Sequence, residues 1–84
     1  MITTPQRFAL KQWTSLACCA ARGLWCEYRD IYVMYYSWCR ALGHTTIRNR
    51  RIWIREFRRL VPCGYNKGRF YDIAVVEVNK ERVI

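Results

Sequence analysis

Arg48, Arg51, Arg55, Arg58 and Arg59, wound at about 3.6 residues per turn, share an arc of about 100° on one helix. Trp53, Phe57 and Leu60 project from nearly the opposite side. Such a helix can be buried by its aromatic face and still offer a cationic edge to a polyanion. Guanidinium groups suit that task, because their planar forks make paired contacts to phosphates and to guanine edges. Arg50 adds a cation beside Arg51, and only Glu56 interrupts the run, whereas an ordinary solvated helix face mixes signs. These six arginines are therefore the expected nucleic-acid contacts, with an acidic protein partner as the competing reading. Lys67 and Arg69, in a turn beyond the helix, would hold neighbouring phosphates. Thr45 and Thr46, ahead of the helix, are candidate phosphate donors or local caps.

Other chemistries fare less well. The chain has five cysteines and a single histidine, but no C-x-x-C spacing. Adjacent Cys18 and Cys19 cannot readily reproduce the ligand pairs of a zinc finger, so no metal or other cofactor is expected. His44 has no recognisable nucleophile or orienting group, and Asp30, Glu27, Asp72 and Glu77 do not pair as catalytic carboxylates would. An enzyme is not expected. No phosphate-binding loop of the form G-x-x-x-x-G-K-[ST] occurs. No segment reaches the roughly 18 continuous apolar residues of a membrane span, and no secretory signal is evident. The thiols read as reduced, mostly buried and cytosolic.

The elements that must position these residues are those of one small domain. At 84 residues, 52% hydrophobic and with four tryptophans, the chain can build a core, which chains below roughly 40 residues usually cannot without staples. The formal charge of +9 is uneven: residues 40–69 hold nine of the fifteen basic residues and one acid. A basic middle third between near-neutral ends describes a surface. Thr4 as cap, Pro5 in the first turn and Gly23 as a left-handed stop predict a helix over 5–22. A second helix is predicted over 27–42, ending at Gly43, and the basic helix over 48–60, capped by Asn49 or Thr46. A hairpin is predicted over 61–78, turning at Asn66-Lys67-Gly68, with a short tail at 79–84. Within its second strand, period-two alternation puts Phe70, Asp72, Ala74, Val76 and Val78 on one side. Tyr28, Tyr32 and Tyr36 line one flank of the second helix as core or as a partner surface.

Helix, helix, helix, hairpin is the order of a winged helix-turn-helix, mainly α with a small β-hairpin. In that fold the third helix enters the major groove and the wing lies over adjacent phosphates. Trp13, Trp38, Trp53, Phe57 and Leu60 would form the core that sets the helix angle.

The second helix contains Ile31-Tyr32-x-x-Tyr35-x-x-Trp38-Cys39-x-x-x-Gly43, followed by Trp53-x-Arg55-Glu56-Phe57. This resembles the small C-terminal domain of phage, plasmid and poxvirus-type primase-helicases over about residues 27–60. The resemblance implies a winged-helix module working beside a replicative ATPase, as an excised domain or a free-standing relative from a phage or other mobile element. The expectation is a non-enzymatic module of such a replication system, binding DNA in preference to RNA. The alternative is a small phage protein that docks on or inhibits a host replication or defence protein, or a protein–RNA complex.

Overall fold

The computed structural model describes residues 2–78; the tail expected at 79–84 lies outside the described residues. The elements run α1 (Thr4–Ala17), β1 (Cys18–Glu27), α2 (Tyr28–Leu42), α3 (Arg50–Leu60), β2 (Gly64–Asn66) and β3 (Arg69–Val75). They form a small α/β domain of three helices and a three-stranded antiparallel sheet of order β1-β3-β2.

The first helix is shorter than its sequence signals suggest. Its cap is Thr3 rather than Thr4: the Thr3 hydroxyl accepts from the Gln6 N–H, and the Gln6 side chain accepts from the Thr3 N–H at 2.9 Å, closing a capping box. The helix stops at Ala17, not at 22, because Cys18, Cys19 and Ala20 pair with Val75, Ala74 and Ile73 of β3. Cross-strand pairing overrides the local helix preference of the cysteine–alanine run. Gly23 does adopt a left-handed φ of 84°, but inside β1 rather than at a helix end. There the register slips: Ala20 faces Ile73 and Trp25 faces Tyr71, leaving Ala21 to Leu24 opposite Asp72. Asp72 has φ 62° and accepts from the Gly23 N–H at 3.0 Å, so one carboxylate secures the bulge.

That bulge also corrects the expected alternation. Phe70 and Ile73, three residues apart, are both fully buried, while Asp72 is exposed. Left-handed backbone at Asp72 reverses the side-chain parity, and Val76 and Val78 lie beyond the strand. The predicted hairpin is otherwise present. Lys67 and Gly68, both at positive φ, form a two-residue turn between Asn66 and Arg69, the geometry that matches the twist of paired strands.

The second and third helices follow their end signals. Gly43 at φ 76° stops α2, and the His44 N–H reaches back to the Cys39 carbonyl at 2.8 Å. Asn49 caps α3 through the Ile52 N–H at 3.1 Å, so Arg48 precedes the helix instead of opening it. Between them, the buried segment at Thr46–Ile47 is anchored from two sides. Tyr35 Oη accepts from the Ile47 N–H and Tyr32 Oη donates to its carbonyl.

The core is largely aromatic. Trp13 of α1, Tyr35 of α2, Trp53 and Phe57 of α3 and Phe70 of β3 are all essentially inaccessible. Trp53 stacks on Phe57 at 4.8 Å and receives the edges of Tyr28, Tyr32 and Tyr35 at 5.5–5.6 Å. Its indole N–H is buried without a hydrogen-bond acceptor among the described residues. Trp38 is buried as expected, but stacks on His44 at 5.0 Å. Leu60 is only partly buried.

Trp53→Ala should cost about 3–5 kcal/mol of unfolding free energy in urea titrations, as removal of a buried indole does. Trp53→Phe should cost less than about 2 kcal/mol, because losing the orphaned N–H offsets part of the lost packing. Equal losses in the two variants would show that the N–H is satisfied in solution.

Candidate nucleic-acid interface

The face of α3 that reaches solvent is set by the face that cannot. Trp53 and Phe57, one turn apart, are locked into the aromatic core, and Glu56 is buried beside them at 4% exposure. The remaining surface carries the arginines. Arg50, Arg51, Arg55 and Arg58, with Ile54 and Tyr65, line a groove of about 500 Å3 between α3 and the hairpin. None of these lining residues is acidic. Tyr65 packs on Phe70 at 4.8 Å while lying 5.9 Å beneath the Arg58 guanidinium, so it belongs to both core and groove.

Glu56 stands on the opposite flank. Its carboxylate lies 3.7 Å from Arg7 Nε, 3.3 Å from Arg55 Nε and 3.5 Å from Arg59 Nη1. The acid that interrupts the cationic run in sequence thus faces away from the groove, toward α1. Arg55 bridges the two sides, and Arg59 is drawn to the Glu56 side.

The expected contacts therefore divide. Arg50, Arg51, Arg55 and Arg58 are gathered around one groove; Arg48 is exposed on the loop before it, and Arg59 lies outside its lining. Lys67 and Arg69 are both exposed at the hairpin turn, where they line a smaller adjoining pocket with Arg29 and Arg50. Thr45 is exposed, but Thr46 is buried at 9% exposure and its carbonyl accepts from Gln6 Nε2 at 2.8 Å. Thr46 is thus withdrawn from the surface by the packing of its loop on α1.

The tyrosine row is continuous, Tyr28 stacking on Tyr32 at 5.5 Å and Tyr32 facing Tyr36 at 6.2 Å. All three are half-buried, and two of them are tied into the core by edge contacts to Trp53. The Arg50 guanidinium lies 4.6 Å over Tyr28. Tyr28 and Tyr32 thus pack on the core, and Tyr28 also supports Arg50 at the rim.

Sequence reasoning missed Trp25 and Arg29. Trp25 fell between two predicted helices, and only the β1–β3 register places it beside the hairpin, with Arg69 4.3 Å over its ring. Arg29 was legible only as part of the polar side of α2. Among the described residues, no group of three His, Cys, Asp or Glu is placed to hold a metal ion, and no helix is long and apolar enough to cross a membrane. Comparison with protein-family models, with curated proteins and with solved structures finds no match.

The cysteines occupy unequal surroundings. Cys39 is fully buried between helices, Cys18, Cys26 and Cys63 are half-buried, and Cys19 is exposed. Burial pushes the Cys18 thiol from 9.0 up to about 12 and the Cys39 thiol up to about 11. Burial likewise raises Tyr35. Each of these groups keeps its proton longer folded than unfolded. Their contribution to stability is complete below pH 9, where neither state ionises the thiols, and is lost as pH rises from 9 toward 12. Melting temperature in reducing buffer should therefore hold level to about pH 8.5 and then fall. Iodoacetamide at pH 8 should modify Cys19 first and Cys39 last, as read by mass spectrometry. Early alkylation of Cys39 without unfolding would contradict this packing.

Proposed function

We propose that this chain is a nucleic-acid-binding protein of winged-helix type that engages DNA through the groove between α3 and the β2–β3 hairpin. The observation that carries this reading is the convergence of Arg50, Arg51, Arg55 and Arg58 on one groove with no acid in its lining. A groove of like charge, walled by the low-dielectric body of the protein, concentrates potential on whatever enters it. Ile54 and Tyr65 give it an apolar floor, which suits sugar and base edges better than a fully hydrated ion.

The order α1-β1-α2-α3-β2-β3, with β1 on the free side of β3, supports the winged-helix reading. On that reading α3 is the recognition helix and Lys67-Gly68 the wing tip. Arg51, Arg55 and Arg58 reach bases or phosphates, and Arg48, Lys67 and Arg69 hold the flanking backbone. The resemblance over residues 27–60 supports a role beside a phage or mobile-element replication machine.

Fluorescence anisotropy with duplex DNA, single-stranded DNA and RNA across a salt series tests the proposal. If about six phosphates are neutralised, log affinity for the preferred ligand falls with log salt at a slope near −5. Arg51→Ala/Arg55→Ala should reduce that slope by about 2 and weaken binding to every sequence. Binding with a slope shallower than about −2, alike in both proteins, would overturn the proposal in favour of docking on an acidic protein surface.

Glu56→Gln should move stability and affinity in opposite directions. Stability falls by roughly 1 kcal/mol, since the three arginines it serves are exposed and screened. Affinity rises about two- to fourfold, because Arg55 and Arg59 are released and the net charge grows by one. Urea titration and anisotropy on the same preparation measure both. A variant weaker in both would mean that Glu56 orients Arg55 for contact rather than restraining it.

A further inference from the structure

Beside the arginine groove, the hairpin turn closes a second pocket of about 220 Å3. Four cations line it: Arg29 of α2, Arg50 of α3, and Lys67 and Arg69 of the β2–β3 hairpin. Glu27 is the one acid among the described lining residues, and it lies 3.9 Å from Arg69 Nε. The pocket therefore keeps a large positive excess.

Its walls are held by specific contacts. The Tyr28 N–H donates to the Gly68 carbonyl at 2.8 Å, tying the turn to the start of α2. The Tyr28 ring supports Arg50 from below. Gly68 stands at φ 82°, and a Cβ there would come within 3.2 Å of an Arg50 Nη atom, into the space the pocket occupies. Trp25 lies just outside, 48% exposed, beneath the Arg69 guanidinium. Arg50 lines both pocket and groove, so the two adjoin.

The charge of this pocket exceeds what a strand interior needs. A phosphodiester carries one negative charge and continues on both sides, which suits the open groove. A phosphomonoester at a strand end carries nearly two charges near neutral pH and offers three free oxygens. Its extra charge and free oxygens match a pocket lined by four cations against one acid. An exposed indole at the rim is a platform for the base of the terminal nucleotide, and base stacking tolerates any sequence.

We propose that this pocket binds the terminal phosphate of a nucleic-acid strand, with the terminal base against Trp25. The inference rests on the nucleic-acid reading of the groove and narrows its ligand: the protein prefers phosphorylated ends, at breaks or termini, to uninterrupted duplex.

The test compares short labelled duplexes that differ only at one end, bearing a 5′-phosphate, a 3′-phosphate or a hydroxyl, at ~150 mM salt. One phosphorylated end should bind about tenfold or more tighter than the hydroxyl end. In Arg29→Gln, which removes a pocket cation outside the groove and the wing contacts, that preference should shrink to about threefold or less while salt-dependent binding of the hydroxyl duplex persists. Trp25→Ala should weaken binding of the phosphorylated end more than of the hydroxyl end. Equal affinity for all three ends, with steep salt dependence intact, overturns the end pocket alone. A variant that weakens every duplex equally also overturns it, since its cations then act as general phosphate contacts. Absence of salt-dependent binding overturns the groove reading as well.

Discussion

The rotation of α3 about its own axis depends on Trp53. The indole is flanked by Phe57 on its own helix, by Tyr28, Tyr32 and Tyr35 of α2, and by Phe70 of β3. Aromatic pairs at these separations are each worth about 0.5–1.5 kcal/mol beyond the area they bury. Several such pairs converge on one ring, so turning the helix would sacrifice all of them together. The arginines need no contacts of their own to be aimed outward. They are the residues left when Trp53 and Phe57 have been placed.

That arrangement carries an electrostatic cost. Arg50 and Arg51 occupy the first turn of α3, with no acid there, where the helix dipole favours negative charge. Arg51 and Arg55, one turn apart, repel each other on the surface. The compensations are local. Glu56 balances Arg55 and Arg59 from the buried side, while Tyr28 and Tyr65 offer ring faces to Arg50 and Arg58. Arg58 and Arg59, in the last turn, sit where the dipole suits them. The uncompensated repulsion is thus concentrated at the first turn and in the groove. On the proposed reading, a polyanion entering the groove relieves that repulsion and so binds more tightly than its contacts alone would allow.

The helices were legible wherever termination is local chemistry. Gly43 and the Lys67-Gly68 turn act through their own backbone and Asn49 through its own side chain, and each appears where its residue type demands. The end of α1 was not legible, because Cys18 to Ala20 satisfy a helix as well as a strand, and their choice is made by β3, more than fifty residues away in sequence. The reversal at Asp72 was hidden for a similar reason. Left-handed aspartate is uncommon, and its role emerges only when the Gly23 N–H is brought to its carboxylate. In the candidate site, the arginine edge was visible from periodicity, but its division was not. Whether Arg59 joined the groove depended on where Glu56 was buried. Trp25 could not be assigned while its strand was unseen.

The missed strand changes what the hairpin can do. A two-stranded ribbon projecting from a helical body is marginal by itself and holds its tip loosely. Here β3 is flanked on both sides, and β1 leads directly into α2. The Gly68 carbonyl then caps the Tyr28 N–H at the start of that helix, a place where Glu27 supplies no side-chain cap. The turn is therefore fixed at both its base and its tip. Lys67 and Arg69 keep a set distance from Arg50, although they lie on different elements. A cationic surface assembled from long side chains ordinarily loses much of its binding energy to ordering them. Rings beneath Arg50, Arg58 and Arg69 reduce that loss at three points. The aromatic content of this small chain thus serves the core and the charged surface through the same residues, because Tyr28 and Tyr65 each have one side in the protein and the other under a guanidinium.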